Sequence, residues 1–164
     1  MFENIDSAIC RITGFIVIVL LAAMTFSTLL GVFYRYVLSD ALTWPEELAR
    51  YAMVWVTGLG SSLALRYGDH VAVEFFVQRL PAAGGRWVIL GGRLLVLLFL
   101  FLMVIFGVDM TGRVFHQESA ALEISMSIPN LAIPVGGALM IYHLLVLMAG
   151  REGGTSHRPE FPTA

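Results

Sequence analysis

The stretch RYVLSDALTWPEELARYAMVWVTGLGSSLALR, residues 35–66, decides the fold of this chain because it carries charged groups from the end of one apolar run into the next. Charged side chains within membrane segments are costly and usually serve a function. Thr43 and Glu46 have the T-x-x-E spacing of a helix capping box, and Pro45 suits a first helical turn. Arg50 follows Glu46 by four residues, so the two can pair on one helix face. A helix is therefore predicted to start here.

Small side chains continue down this predicted helix, below Glu47 and Arg50, at helical spacing. They are Val54, Thr57, Gly58, Ser61 and Ser62. The preceding apolar run has a similar face, formed by every fourth residue: Ala23, Ser27, Gly31 and Arg35. Small residues let membrane helices approach closely, so both faces are predicted to pack against other helices.

Composition places the chain in a membrane. Hydrophobic residues make up 58% of its 164 residues and charged residues 13%, against roughly a quarter charged in soluble domains. The net charge of -2, with scattered arginines, lacks the basic field of nucleic-acid binding. Cys10 is the only cysteine, which excludes an intramolecular disulfide, a thiolate metal cluster and a C-x-x-C redox pair. We expect no cofactor and no metal.

Four apolar runs are long enough to cross about 30 Å of hydrocarbon at about 1.5 Å per residue. They cover approximately residues 12–34, 44–65, 87–108 and 129–149. We therefore predict an all-α integral membrane protein whose four-span domain covers residues 1–150.

The two ends of the chain are predicted from composition. Residues 1–10 contain two acids and no base, unlike the basic start of a signal peptide, so the first span is expected to stay uncleaved. Residues 151–164 are rich in Gly, Pro and polar residues, which predicts a short disordered cytoplasmic tail.

A short segment between the second and third spans has a polar row. His70, Glu74 and Gln78 recur at every fourth position of a stretch that is otherwise apolar except for Arg79, and Pro81 ends it. A segment over about residues 70–80 is too short to cross the membrane, so we expect a helix lying in the interface. The alternative is a buried re-entrant segment.

The fourth span contains two prolines, Pro129 and Pro134. Both cannot occupy the first turn of one helix, so the helix is expected either to begin late or to kink near Pro134. Broken helices form ion sites in some transporters, but a kinked start is the simpler interpretation this close to the interface.

The arginines predict the orientation in the membrane. Most of them lie at the termini or in the middle loop: Arg11, Arg66, Arg79, Arg86, Arg151 and Arg158. The positive-inside rule then places both termini and the interfacial helix in the cytoplasm. The start of the second predicted helix consequently faces the periplasm.

The order of these segments resembles a known family. RYVLS ends the first span, LTWPEELARYAMVWVTGLGSSLALRYGDHVAVE follows, and IPNLAIPVGGALM opens the last span. This pattern is similar to the DctQ-like small permease subunit of tripartite ATP-independent periplasmic (TRAP) transporters, over about residues 6–150. The positions that match are Arg35, Trp44, Glu46, Glu47, Arg50, Arg66 and His70.

The resemblance implies a function and partners. Such a subunit has four spans in the bacterial inner membrane and binds a much larger permease subunit, which holds the substrate and ion sites. A periplasmic substrate-binding protein delivers an organic acid, and an ion gradient drives its uptake. The lack of an inverted repeat in this chain also favours an accessory role over independent transport.

Two other classes of protein fit the sequence less well. A haem-binding membrane anchor of a respiratory enzyme needs axial histidines that face each other, and only His143 lies well within a span. That histidine is expected to be hydrogen-bonded in a helix interface or packed near the cytoplasmic boundary. A membrane hydrolase needs a nucleophile with a base, and no such grouping or H-E-x-x-H motif occurs. We therefore predict that the chain is not an enzyme.

The candidate contact residues for the larger subunit are small or charged residues of the first two spans. They are Ala23, Ser27, Gly31, Arg35, Trp44, Glu46, Glu47, Arg50, Gly58 and Ser62. The acidic pair and Arg50 equally suit a structural role, in which they cap and anchor their own helix at the interface.

Overall fold

The computed structural model describes residues 2–67 and 82–151, which are helical apart from their connections. The helices are α1 Phe2–Tyr36, α2 Trp44–Tyr67, α3 Ala82–Arg113, α4 Ser127–Asn130 and α5 Ala132–Arg151. The predicted interfacial helix, with His70, Glu74 and Gln78, lies outside the described residues, and so does the predicted tail beyond Arg151.

Three segments of the described helices are long and apolar enough to cross a membrane. They are Asp6–Tyr36, Leu90–Arg113 and Ser127–Met148, and they correspond to the first, third and fourth predicted spans. The helix α2 is 24 residues long but less apolar. Its charged residues are Glu46, Glu47, Arg50 and Arg66.

The connection between α1 and α2 is a tight turn. The amide of Val37 donates to the carbonyl of Phe33 over 2.9 Å, and the amide of Asp40 donates to the carbonyl of Tyr34 over 3.2 Å. Ser39 has a φ of 54°, in the left-handed region that L-residues seldom adopt. This conformation ends α1 and lets the chain return so that α2 starts at Trp44, as the capping-box spacing predicts.

The long helices pack as an open layer. Among the described residues, α1 packs on α2, α2 on α5, and α5 on α3, whereas α1 and α3 make no contact. A closed four-helix bundle would need that last contact. Both broad faces of the layer are therefore exposed, with many large apolar side chains such as Phe15, Phe26, Phe99 and Phe106.

Glycines set the close approach of α5 to its two neighbours. A Cβ on Gly136 would lie 2.8 Å from the carbonyl oxygen of Gly58, and a Cβ on Gly58 would lie 2.7 Å from that of Ala132. On the other side, a Cβ on Gly137 would lie 2.9 Å from the Met103 side chain. These contacts put α2 and α5 in backbone contact, as small residues allow in membranes.

The proline pair is accommodated by a break in the helix. Pro129 lies in the one-turn helix α4, and Pro134 lies in the first turn of α5, where a missing amide costs little. The long helix thus begins late, at Ala132, so the prolines do not have to share one first turn. The side-chain Nδ2 of Asn130 donates to the carbonyl of Met126 over 2.7 Å and stabilises the short helix before the break.

Candidate functional site: the two ends of the second helix

The predicted small face of α1 packs against the start of α2 in the same chain. Ser27 is buried, and its hydroxyl donates to the carbonyl of Pro45 over 2.8 Å. A Cβ on Gly31 would lie 3.5 Å from the Pro45 Cβ, which is ordinary van der Waals contact. Ala23 is exposed. The middle of this face, at Ser27 and Gly31, therefore packs against the start of α2.

The carboxylate of Glu46 pairs with Arg35 of α1. The Arg35 Nη2 lies 3.3 Å from the Glu46 Oε1, and the two side chains are 50% and 68% exposed. The expected pairing of Glu46 with Arg50 along α2 is therefore wrong, since the turn between the helices brings a second guanidinium closer. Arg50 is exposed and makes no ion pair among the described residues.

Glu47 is the most heavily used carboxylate at this end. Its Oε2 accepts the amides of Ala121 and Leu122 over 2.8 and 2.9 Å, and its Oε1 accepts the Tyr51 hydroxyl. The Tyr51 hydroxyl also lies 3.4 Å from the sulfur of Met126. Glu47 thus ties the start of α2 to the segment between α3 and α4.

That segment is a small hairpin, residues 117–126. The Ser119 amide donates to the Ile124 carbonyl over 2.9 Å, and the Met126 amide donates to the Gln117 carbonyl over 2.8 Å. Glu123, with a φ of 52°, turns the chain between them. Sequence reasoning missed this hairpin, because its stabilising carboxylate lies more than 70 residues earlier in the chain.

The middle of α2 faces α5. Gly58 lies at the close crossing described above, and Ser62 is fully buried, with its hydroxyl donating to the Leu59 carbonyl over 2.7 Å. Beside this crossing, α2, α3 and α5 border an open groove of about 300 Å³. Its lining includes Met53, Thr57, Ser61, Met103 and Met140.

At the opposite end of α2, four polar side chains from three helices meet. The Arg66 Nε donates to the Oδ2 of Asp6 over 2.9 Å, and the Arg66 Nη2 lies 2.8 Å from the same oxygen. His143 is fully buried, with its Nδ1 3.5 Å from the Oδ1 of Asp6. Cys10, one turn after Asp6, is buried beside them.

The sequence predicts only one member of this second cluster, His143. His143 lies in a helix interface, as expected, but neither of its ring nitrogens has a hydrogen-bond partner among the described residues. Asp6 is missing from the candidate residues, although it lies four residues before Cys10 and so shares a helix face with it. The contacts to Arg66 and His143 join segments that are distant in sequence, which no local pattern reveals.

Comparison with known proteins identifies the family of this chain. The sequence model of the family "Tripartite ATP-independent periplasmic transporters, DctQ component" matches residues 24–152. The chain belongs to the DctQ family. This confirms the resemblance found in residues 35–74 and 128–140, and it supports a transporter component rather than a haem-binding anchor. With three apolar helices, the DctQ-family chain is a multi-pass inner-membrane protein.

Three relatives show the range of similar proteins. The chain is 31% identical over 111 residues, 68% of its length, to the sialic acid TRAP transporter small permease protein SiaQ of Vibrio cholerae. It is 32% identical over 71% of its length to the C4-dicarboxylate small permease protein DctQ of Rhodobacter capsulatus. It is 29% identical over 78% of its length to the isethionate permease protein DctMQ of Oleidesulfovibrio alaskensis.

These matches cover part of each relative. They span 64% of SiaQ, 53% of DctQ and 21% of DctMQ. The aligned part of this DctQ-family chain therefore corresponds to about half to two thirds of the small permease proteins and to about a fifth of DctMQ.

Proposed function

We propose that this chain is the small permease subunit of an ion-gradient-driven TRAP transporter. In this role it is not an enzyme and transports nothing by itself. It supports a larger permease subunit during uptake of an organic acid, which a periplasmic binding protein delivers to the complex.

The observation that carries this proposal is the open layer of helices. A solute path across a membrane must be enclosed by protein on all sides, because polar solutes do not cross hydrocarbon. Within residues 2–67 and 82–151, the helices α1, α2, α5 and α3 follow one another in a row with both broad faces exposed. A row of this kind can support one side of another protein, and it cannot surround a path.

The relatives suggest the partner and the class of solute. Sialic acid, C4-dicarboxylates and isethionate, which appear in the relatives' names, are all organic anions. This chain aligns with 21% of the isethionate permease protein DctMQ, which favours a larger permease region beside a domain of this kind. We extend the same arrangement to this chain.

We further propose that α2 also spans the membrane, which brings the number of spans to four. It lies between α1 and α5, each of which includes a segment apolar enough to cross the membrane. Its 24 residues measure about 36 Å at 1.5 Å per residue, which is enough to cross. Its charged residues stand near the two helix ends. The domain then covers residues 1–150, with four spans and both termini in the cytoplasm.

The orientation has a direct test in intact cells. In a Cys10→Ser background, a cysteine introduced at Asp40 or Glu118 should react with an impermeant thiol reagent from outside. A cysteine at Gly154 should react only after the membrane is opened. Labelling at Gly154 in intact cells would contradict the proposed orientation.

The contact surface for the larger subunit is proposed to combine exposed and buried members of the candidate set. Ala23, Arg35, Glu46 and Arg50 are exposed and available to a partner. The others act by holding the shape of that surface: Ser27, Gly31, Trp44, Glu47, Gly58 and Ser62. Arg50 is the strongest candidate, because it has no ion-pair partner among the described residues and a charge at a membrane boundary is less costly when paired.

Reconstitution tests the proposed function. Vesicles containing the larger subunit should take up the solute, with its binding protein and an ion gradient, only when this chain is also present. Arg50→Ala should lower uptake more than it lowers co-purification, and Gly31→Leu should lower both by forcing α1 from Pro45. The matched control, Gly31→Ala, fits the 3.5 Å space at Pro45 and should preserve both. Full uptake without this chain would overturn the proposal.

A further inference from the structure

The cluster of Asp6, Cys10 and His143 has the composition of a metal site. One ligand atom from each residue lies within 4.8 Å of the other two. Asp6 and Cys10 are each 6% exposed, and His143 is fully buried. The three residues come from α1 and α5, so the cluster joins the two helices that flank α2.

We propose that Asp6, Cys10 and His143 bind a divalent transition-metal ion of the zinc class. The ligands are the Asp6 Oδ1, the Cys10 thiolate and a ring nitrogen of His143. This assignment goes beyond the proposed transport role and departs from the sequence-based expectation of a chain without metal. Binding at this place would fasten the first turns of α1 to α5 across the end of α2.

Unsatisfied polar atoms are the observation that points to a ligand. The Asp6 Oδ1 and both ring nitrogens of His143 are buried without hydrogen-bond partners among the described residues. Buried polar groups are normally paired, and leaving one unpaired costs about 1–3 kcal/mol. A cation bound between the Asp6 Oδ1 and a His143 nitrogen would satisfy both residues at once.

The spacing of the three atoms suits a small metal ion. Ligands bound at about 2.0–2.3 Å around a tetrahedral zinc ion lie about 3.3–3.8 Å apart. The Asp6 Oδ1 and His143 Nδ1 are 3.5 Å apart. The cysteine sulfur, within 4.8 Å of the other two ligand atoms, must move closer to complete the set. Three protein ligands leave the fourth position for water.

The choice of metal follows from the donor set. A thiolate and an imidazole favour zinc and similar ions over magnesium or calcium, which prefer oxygen ligands. Binding releases the thiol proton to solvent as the metal–sulfur bond forms, so the thiolate and the carboxylate together balance the two positive charges of the ion. The donor set therefore selects zinc-class ions over magnesium and calcium.

Arg66 fits the role of an orienting residue. Its Nε donates to the Oδ2 of Asp6, and its Nη2 lies 2.8 Å from the same oxygen, which leaves Oδ1 directed toward His143. Carboxylates that bind metals are themselves commonly held by hydrogen bonds of this kind. The positive charge of Arg66 weakens metal affinity, and its partly exposed position moderates that effect because solvent screens it.

Cobalt is a suitable probe, because its bond to a thiolate has a charge-transfer absorption. Cys10 is the only cysteine of the chain, so such a band can arise only there. Titration of the purified full chain, carried on a tag without histidine, should produce the band with saturation at one equivalent of Co²⁺. Zinc should then displace the cobalt and abolish the band.

Variants separate the ligands from other residues. Cys10→Ser should remove the charge-transfer band, and His143→Gln should weaken cobalt binding at least about tenfold. The matched control is His116→Gln, which changes an exposed histidine near the hairpin and should leave binding unchanged. Equal cobalt affinity in wild type, His143→Gln and Asp6→Asn would overturn the proposed ligand set.

A second measurement needs no variant. Zinc bound to Cys10 should slow its alkylation by a maleimide in the wild-type chain at least tenfold, and a chelator should restore the rate. An unchanged rate in saturating zinc, or no cobalt band, would show a buried ion pair only. Because neither assay involves uptake, failure of the metal site and failure of the transport role are distinguishable.

Discussion

Two carboxylates stand near opposite ends of α2 and use their oxygens differently. Glu47, at the first turn, accepts hydrogen bonds from Ala121, Leu122 and Tyr51 on its two oxygens. Asp6, which packs on the last turn, has one oxygen taken by Arg66 and the other without a hydrogen bond. The two ends therefore differ in how completely their polar groups are satisfied.

This difference separates a structural network from a candidate binding site. A carboxylate with hydrogen bonds on both oxygens fixes the geometry of the groups around it and has little acceptor capacity left for a ligand. An unsatisfied one is costly unless something binds it. Glu47 accordingly has the contacts of a residue that holds the hairpin in place. Asp6, beside His143, keeps the capacity to bind an ion.

The largest expected effect comes from the close crossing of α2 and α5, which lies between the two ends of α2. Gly58→Ala would put a Cβ 2.7 Å from the carbonyl oxygen of Ala132 and force α2 away from α5. We expect a loss of about 3 kcal/mol, the upper part of the usual cost of overpacking. Thermal unfolding of the purified chain in detergent measures it.

Gly60→Ala is the matched control for this change. It adds the same methyl group two residues further along α2, where nothing lies within 4 Å. The substitution should be neutral or stabilising by up to about 1 kcal/mol, because alanine favours helix more than glycine does. Similar losses for both variants would show that glycine flexibility, rather than the close crossing, explains the effect.

Local chemistry made much of the fold predictable. The residues Thr43, Trp44, Pro45 and Glu46 predicted where α2 begins, because a helix start depends on neighbours within one turn. Apolar run lengths predicted the three long apolar helices for the same reason. The small face with Ser27 also predicted close helix packing, although the structure gives it a partner within the chain.

The contacts that define the candidate sites were not predictable in this way. Glu46 has Arg50 at a suitable helical spacing, yet it pairs with Arg35 because the turn at Ser39 brings α1 beside it. The partners of Glu47 and Asp6 lie in other segments of the chain. Periodicity describes the faces of one helix, and it does not identify which other segment will lie against a face.

A pair of amide substitutions tests the contrast between the two carboxylates directly. In Glu47→Gln the side chain keeps one oxygen as a hydrogen-bond acceptor, but its new NH₂ group faces groups that are themselves donors. The substitution should therefore cost about 2 kcal/mol of stability. Asp6→Asn keeps an acceptor for Arg66 and offers an NH₂ donor to the unpaired Nδ1 of His143. We expect a smaller loss, and thermal unfolding compares them. A larger loss for Asp6→Asn would remove the distinction drawn between the two ends.

The smallest expected effect on stability belongs to the exposed ion pair of Arg35 and Glu46. Their side chains are 50% and 68% exposed, and such pairs contribute about 0–1 kcal/mol, because water and salt screen the attraction. Arg35→Gln, Glu46→Gln and the double variant form a cycle whose coupling should be under about 1 kcal/mol and should shrink in high salt. If these residues also contact the larger subunit, uptake by the reconstituted complex should fall by more than the small loss of stability explains. Uptake that follows stability alone would assign the pair to the α1–α2 turn and leave Arg50 as the charged contact at this end.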